Sequence, residues 1–158
     1  MSEVELTLRG DLDHLRVAWQ TGEALLESVP FRENAEQTRY NVLLAVQEML
    51  TNVLRHGADE HGELIVRLRF VADEAGFEVE IADRGAEFDP CAHQDERPTA
   101  GEMPSEPGGY GILIARCAMD TMEYERSDGW NCLRMRKAAG RPEPTAPPSG
   151  DARPQGGL

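Results

Sequence analysis

Apolar residues follow two periods along this chain, and the changes between them outline a fold. Val4, Leu6 and Leu8 alternate with polar residues, which predicts a short strand. Asp11 then stands where a helix N-cap is expected, ahead of a stripe of Leu15, Ala18, Trp19, Gly22, Leu25, Leu26 and Val29. After Pro30 a second helix is predicted from about Arg32 to His56, stopped by Gly57. Leu64, Val66, Leu68 and Phe70 return to period two, as do Phe77, Val79 and Ile81, so the pair reads as a hairpin around Ala75-Gly76. A third helix follows Gly111, and strands at 122–125 and 133–136 flank a Ser127-Asp128-Gly129 turn. The order β-α-α-β-β-loop-α-β-β predicts an α+β, two-layer sandwich: three helices on one face of a mixed, mostly antiparallel sheet.

Proline marks the segments that break this pattern. Four of the ten prolines fall between Pro90 and Pro107, in a long stretch from Ala86 to Pro107 that reads as a mobile lid. Five fall in residues 138–158, which read as a disordered tail, leaving a folded body at 1–137.

The second helix carries the first candidate chemistry. Asn41, Ala45, Glu48, Asn52 and Arg55 recur at intervals of four and three, so they share a stripe opposite Val42, Leu43, Val46, Leu50 and Val53. A solvated helix face explains such a stripe as readily as a site does. As a site, Asn52 offers an oxygen to Mg²⁺, and Glu48 one turn away offers a base. The second candidate is Asp83-Arg84-Gly85-Ala86-Glu87-Phe88-Asp89-Pro90 after a strand, an ordinary turn or a carboxylate placed to accept from a base amine. The third is Gly108-Gly109-Tyr110-Gly111 at a helix start, a flexible turn or a set of N–H groups facing an anion.

Charge narrows the classes. There are 16 basic and 29 acidic residues, a net charge of −13, and Lys137 is the only lysine. A broad basic surface for nucleic acid is excluded, and so is a P-loop, which needs a lysine after its glycines. The longest apolar run, Val42–Val46, is too short to span a bilayer, and the N-terminus does not read as a signal peptide. Cys91, Cys117 and Cys132 lack C-x-x-C spacing and read as reduced thiols in cytoplasm, Cys117 as a small core residue. Arg67 and Arg69 read as a solvated strand face, Trp19 and Trp130 as packing.

Together, AVQEMLTNVLRHG at 45–57, DRGAEFDP at 83–90 and GGYGILIARCAMDTMEYE at 108–125 resemble the GHKL nucleotide-binding superfamily, most closely its small anti-sigma-factor serine/threonine kinases. That resemblance implies a Bergerat-type fold binding ATP and Mg²⁺. Glu48 would be the catalytic base and Asn52 the metal ligand. Asp83 would bond the adenine amine beside Gly85, and Gly109 and Gly111 would face the phosphates. Arg55 and Tyr110 would also contact nucleotide. The implied partner is a STAS-domain anti-anti-sigma protein, with a sigma factor as a further partner and a homodimer built through the first strand and helix. The alternative function is a non-catalytic ATP-binding module that sequesters a regulator. Glu87 stands where many relatives have a second glycine, Asn131-Cys132 where Gly-Thr is common, and Arg97 is the lid's only arginine. The length leaves no room for the phosphoacceptor or transducer domains of larger superfamily members.

Overall fold

The structure is a computed structural model that describes residues 1–9, 13–57, 64–92 and 110–140. Its elements are β1 (Ser2–Arg9), α1 (Asp13–Leu26), α2 (Ala35–His56), β2 (Ile65–Asp73), β3 (Gly76–Asp83), α3 (Gly111–Ala118), β4 (Thr121–Ser127) and β5 (Trp130–Ala138). The expected N-cap Asp11, lid positions 93–107, Gly109 and tail positions 141–158 lie outside the described residues.

The strands form one sheet in the order β1-β2-β3-β5-β4. All four ladders are antiparallel, so the sheet is not mixed. Period-two alternation gives it two unlike faces. Val66, Leu68, Phe70, Val79, Ile81, Leu133 and Met135 point to one side and are buried there under the helices. Phe70 and Phe77 meet as a tilted ring pair at 5.9 Å. The opposite face carries a row of alternating charge across all five strands, Glu5, Arg69, Glu80, Arg134 and Glu123. Arg134 pairs with Glu80 at 2.8 Å, and Arg69 with Glu3 at 2.6 Å. These pairs are solvated, so each contributes less than about 1 kcal/mol. Burial of the other face holds the sheet to its helices.

Four local differences from expectation have physical causes. α2 begins at Ala35 rather than Arg32, because the Arg32 N–H donates to the Ala139 carbonyl at 3.3 Å and Asn34 takes a left-handed turn at φ 43°. Asparagine tolerates that conformation better than most residues. β5 continues through Ala138, and Ala139 is buried and donates its N–H to the Ala75 carbonyl at 2.9 Å. The body therefore extends three residues into the expected tail. Cys117 is exposed rather than in the core: Ile112, Ala115 and Met119 take the inward positions of α3, and residue 117 falls on the far side. Finally, α2's polar stripe is solvated only at its ends, Asn41 and Arg55. α3 packs along α2, leaving Ala45 fully buried and Asn52 only 9% exposed.

The β4–β5 turn forms as expected at Asp128-Gly129, where φ is 51° and 79°. That pair of left-handed residues matches the twist of the two strands.

Candidate functional site

A cleft of about 430 Å³, including its open mouth, lies between α2 and the helix-facing side of β3, β4 and β5. Asn52, Asp83, Tyr124 and Asn131 line it with Met49 and Leu133. Two parts of the fold bring these residues together. Antiparallel register sets Asp83 at the end of β3 opposite Asn131 at the start of β5. α2 lays Asn52 across them.

Asp83 is 4% exposed, so its bonds decide what it can do. Its Oδ1 accepts from the Gly85 N–H at 2.8 Å and from Asn131 Nδ2 at 3.0 Å. Its Oδ2 accepts from no group in the described residues. Since none of their buried side-chain oxygens lacks a partner, Oδ2 is the oxygen open to the cleft. An ionised carboxylate only accepts hydrogen bonds, so the cleft presents an acceptor at this point.

Gly85 is required by close approach. A Cβ there would sit 2.5 Å from Gly57 Cα and 2.6 Å from the Gly57 carbonyl oxygen. Gly57 itself has an ordinary right-handed conformation, φ −88°, and its N–H closes α2 onto Val53 at 2.8 Å. The glycine that ends α2 and the glycine after Asp83 thus let the two backbones touch at the cleft's edge. Beyond them Phe88 stacks on His56 at 5.5 Å. Asp89 Oδ1 accepts the Cys91 and Ala92 N–H groups, and Arg116 of α3 donates to the Pro90 and Cys91 carbonyls at 3.2 and 2.9 Å. The described start of the expected lid is therefore tied to α3.

At the other end, Asn52 makes no hydrogen bond to any described residue, although it is nearly buried and faces the cleft. Glu48, one turn earlier, is half-buried and has no cationic or hydrogen-bonding partner among them. It lies against the first residue of α3: a Cβ on Gly111 would be 2.7 Å from Glu48 Oε2. Only glycine lets α3 start this close to that carboxylate. Ile114 donates to the Tyr110 carbonyl at 2.9 Å, so the N–H groups of the preceding residues are left free of intrahelical bonds.

The structure thus sets Asn52 and Asp83 in the wall of one cleft, with Gly85 bonded to Asp83 and Glu48 one turn before Asn52 against Gly111. Tyr110 precedes Gly111 and is 43% exposed. Arg55 is exposed on the last turn of α2 and does not line the cleft. Gly109 lies outside the described residues. Two polar residues escape a reading of the chain, Tyr124 and Arg126, and Asn131 is read there only as a departure from the family pattern. Tyr124 and Arg126 continue the inward phase set by Met122 on β4, which was the available signal. Burial raises the Tyr124 phenol above its ordinary value against the opposing effect of Arg126, so it remains a donor at neutral pH. Burial likewise raises the thiols of Cys91 and Cys132, which are thus poor nucleophiles.

Residues 8–137 match the family described as "Histidine kinase-like ATPase domain". The chain belongs to that family. ATP binding is the general property of that family. Among curated proteins, the chain is 27% identical over 111 residues to the serine/threonine-protein kinase BtrW of Bordetella bronchiseptica, covering 70% of this chain and 78% of that one. It is 31% identical over 93 residues to the serine-protein kinase RsbW of Halalkalibacterium halodurans, covering 56% of each. RsbW of Oceanobacillus iheyensis is 28% identical over 92 residues, covering 54% of this chain and 57% of that one. The chain thus spans little more than half of the two RsbW proteins. The fold also matches a crystal structure of the RsbU and RsbW domains of a Mycobacterium tuberculosis protein, with a TM-score of 0.57 and 12% identity. That match covers 86% of this chain and 32% of the other.

Proposed function

We propose that the chain is an ATP-dependent serine/threonine protein kinase of the anti-sigma type, acting on a STAS-domain anti-anti-sigma protein in a partner-switching pathway. The observation that supports this is two unpartnered polar groups in one cleft, Asp83 Oδ2 and the Asn52 amide, with the Glu48 carboxylate one turn earlier on α2 beside the start of α3. Asp83 accepts the adenine amine, while Gly85 allows the ring to lie against backbone. Asn52 would hold Mg²⁺ through its side-chain oxygen. No cluster of three or more His, Cys, Asp or Glu that could hold a metal occurs among the described residues. That donor set suits Mg²⁺, which draws most of its ligands from phosphate and water. When bound, the ion neutralises charge developing on the phosphates. Gly111 would supply a backbone N–H group there; Gly109, Tyr110 and Arg55 are assigned to the nucleotide only by the family resemblance.

Glu48 performs the proton step. Its carboxylate accepts the proton of the incoming serine or threonine hydroxyl as that oxygen bonds the γ-phosphorus and the bond to the ADP oxygen breaks. Phosphate is thereby moved, not released to water. The lack of lysine in the cleft is consistent with this division of labour, since metal and backbone carry the positive charge.

Transfer of labelled γ-phosphate to a STAS-domain protein tests the assignment. Glu48→Ala should slow transfer by about 100-fold or more while leaving ATP affinity near wild type. Equal rates in the two proteins would sink the role of Glu48. The rival is a non-catalytic module that sequesters a sigma factor or another regulator with ATP as a conformational ligand. Exposed Glu87, a carboxylate close after Gly85, favours it. Tight ATP binding with no transfer to any partner would decide for that rival. The proposal includes a cytoplasmic homodimer joined through β1 and α1, for which the open edge of β1 is available.

A further inference from the structure

Asn131 occupies the cleft floor in a way that leaves it no freedom. Its Oδ1 accepts from the Tyr124 hydroxyl at 2.7 Å and from Arg126 Nη1 at 2.5 Å. Its Nδ2 donates to Asp83 Oδ1 at 3.0 Å and to the Ala86 carbonyl at 3.0 Å, with the Gly85 carbonyl at 3.4 Å. An amide side chain has two acceptor lone pairs and two donor hydrogens, and all four are used. The two ends are not interchangeable. Arginine only donates and a carboxylate or carbonyl only accepts, so turning the amide over would break every bond except that to the Tyr124 hydroxyl, which can also accept. Arg126 Nη1 also reaches the Gly85 carbonyl at 3.3 Å, bracing the turn that follows Asp83. Its positive charge does not touch Asp83 directly; it reaches the carboxylate through the amide.

From this network we infer that Asn131, oriented by Arg126 and Tyr124, is the positioning residue that sets which base the cleft accepts. The inference rests on the proposed nucleotide site and extends it. Two donors saturate Asp83 Oδ1, from Gly85 and Asn131, and leave Oδ2 as the acceptor facing the cleft. A base bearing an exocyclic amine at that edge completes the pattern. A base bearing a carbonyl there, as guanine does, sets acceptor against acceptor. A site built on such hydrogen bonds rejects the wrong partner strongly, because its own polar group is left unpaired. Asn131 therefore acts through Asp83, not on the phosphates.

Two substitutions break the orientation by different routes. Asn131→Asp keeps an oxygen for Tyr124 and Arg126 but replaces the amine facing Asp83 with a second oxygen. Two carboxylates that close do not both ionise, so a shared proton makes the floor part donor. Arg126→Met removes the charged donor that prevents the amide from turning over, and since Arg126 is exposed, this change spares the core. Arg126→Lys keeps a charged donor.

The experiment is calorimetric titration of the full chain and each variant with MgATP and MgGTP, with thermal melts as the check on folding. Asn131→Asp and Arg126→Met should each reduce the ATP-to-GTP affinity ratio by about 10-fold or more, mainly through weaker ATP binding. Arg126→Lys should hold the ratio within about 3-fold of wild type. Loss of both nucleotides by the same factor would assign Asn131 a purely structural role and overturn the inference. An unchanged ratio in both disruptive variants would overturn it as well, while leaving the kinase proposal standing. A wild-type chain that binds no ATP would overturn both. Should Asn131→Asp fail to fold, Arg126→Met decides alone.

Discussion

The two ends of the cleft satisfy their polar groups in opposite ways. Around Asp83, the Asn131 amide, the Tyr124 hydroxyl, the Arg126 guanidinium and the Gly85 N–H bond one another, and a single carboxylate oxygen remains open. Around Glu48, neither the carboxylate nor the nearby Asn52 amide has a partner among the described residues, and α3 begins against them with free N–H groups. The first end is fixed before any ligand arrives and suits recognition of a rigid ring. The second is completed only by what binds there, which suits phosphates and a metal.

Gly85→Ala makes the harshest test of that contrast. The new Cβ would meet backbone atoms of Gly57 at 2.5 and 2.6 Å, and backbone gives way poorly. Stability should fall by about 3 kcal/mol, read from the urea midpoint. A loss under about 1 kcal/mol would mean that the two glycine turns separate easily and that the Asp83 end is not rigid. Gly111→Ala is the matched change at the other end. Its Cβ would meet Glu48 Oε2 at 2.7 Å, the far end of a flexible side chain. Stability should change by no more than about 1 kcal/mol, since alanine also favours the helix. Phosphotransfer should fall about 10-fold as the carboxylate is displaced. Asn52→Leu should be smaller still in stability and of opposite sign, with a melting temperature equal to or above wild type. It should also lose the stabilisation that MgATP gives the wild type. A clear drop in melting temperature would show that Asn52 is a structural amide.

Much of this was legible in the chain, and the omissions have one origin. The stripe of Glu48 and Asn52 follows from helical period alone, and Asp83-Arg84-Gly85 follows from its place after a strand. Whether the stripe faced water was not legible, because α3 covers it from sixty residues further along. The Asn131 network was hidden for the same reason. Asp83 and Asn131 face each other only because β5 inserts between β3 and β4, a pairing of strands far apart in sequence. Read locally, Asn131 falls between the Ser127-Asp128-Gly129 turn and the strand expected at 133–136. Gly57 ends α2 as expected but not by a left-handed turn: its backbone is right-handed, and a Cβ there would meet the Val53 carbonyl oxygen at 2.5 Å and Leu64 at 3.1 Å. Cys117 was misplaced because eight residues of α3 leave its phase open until the packing against α2 is known.

The smallest effect expected lies outside both ends and calibrates them. Asp120 precedes β4 and holds the last residues of β5: Oδ1 accepts from Lys137 Nζ and Oδ2 from the Ala138 N–H, each at 2.8 Å. Burial pushes this carboxyl up, but the lysine and the backbone N–H outweigh that and hold it below its ordinary value. A carboxyl lowered by folding contributes stability above its unfolded value, near pH 4, and loses it as pH falls through the folded value. Its side chain is 46% exposed, so solvent screens the pair into the range of surface contacts. Asp120→Asn should therefore lower stability by about 0.5 kcal/mol at pH 7, and the difference should vanish by about pH 2. High salt should shrink it as well. A loss at pH 7 as large as that of Gly85→Ala would show that the β5 end, and not the Gly57–Gly85 contact, is the fold's weakest point.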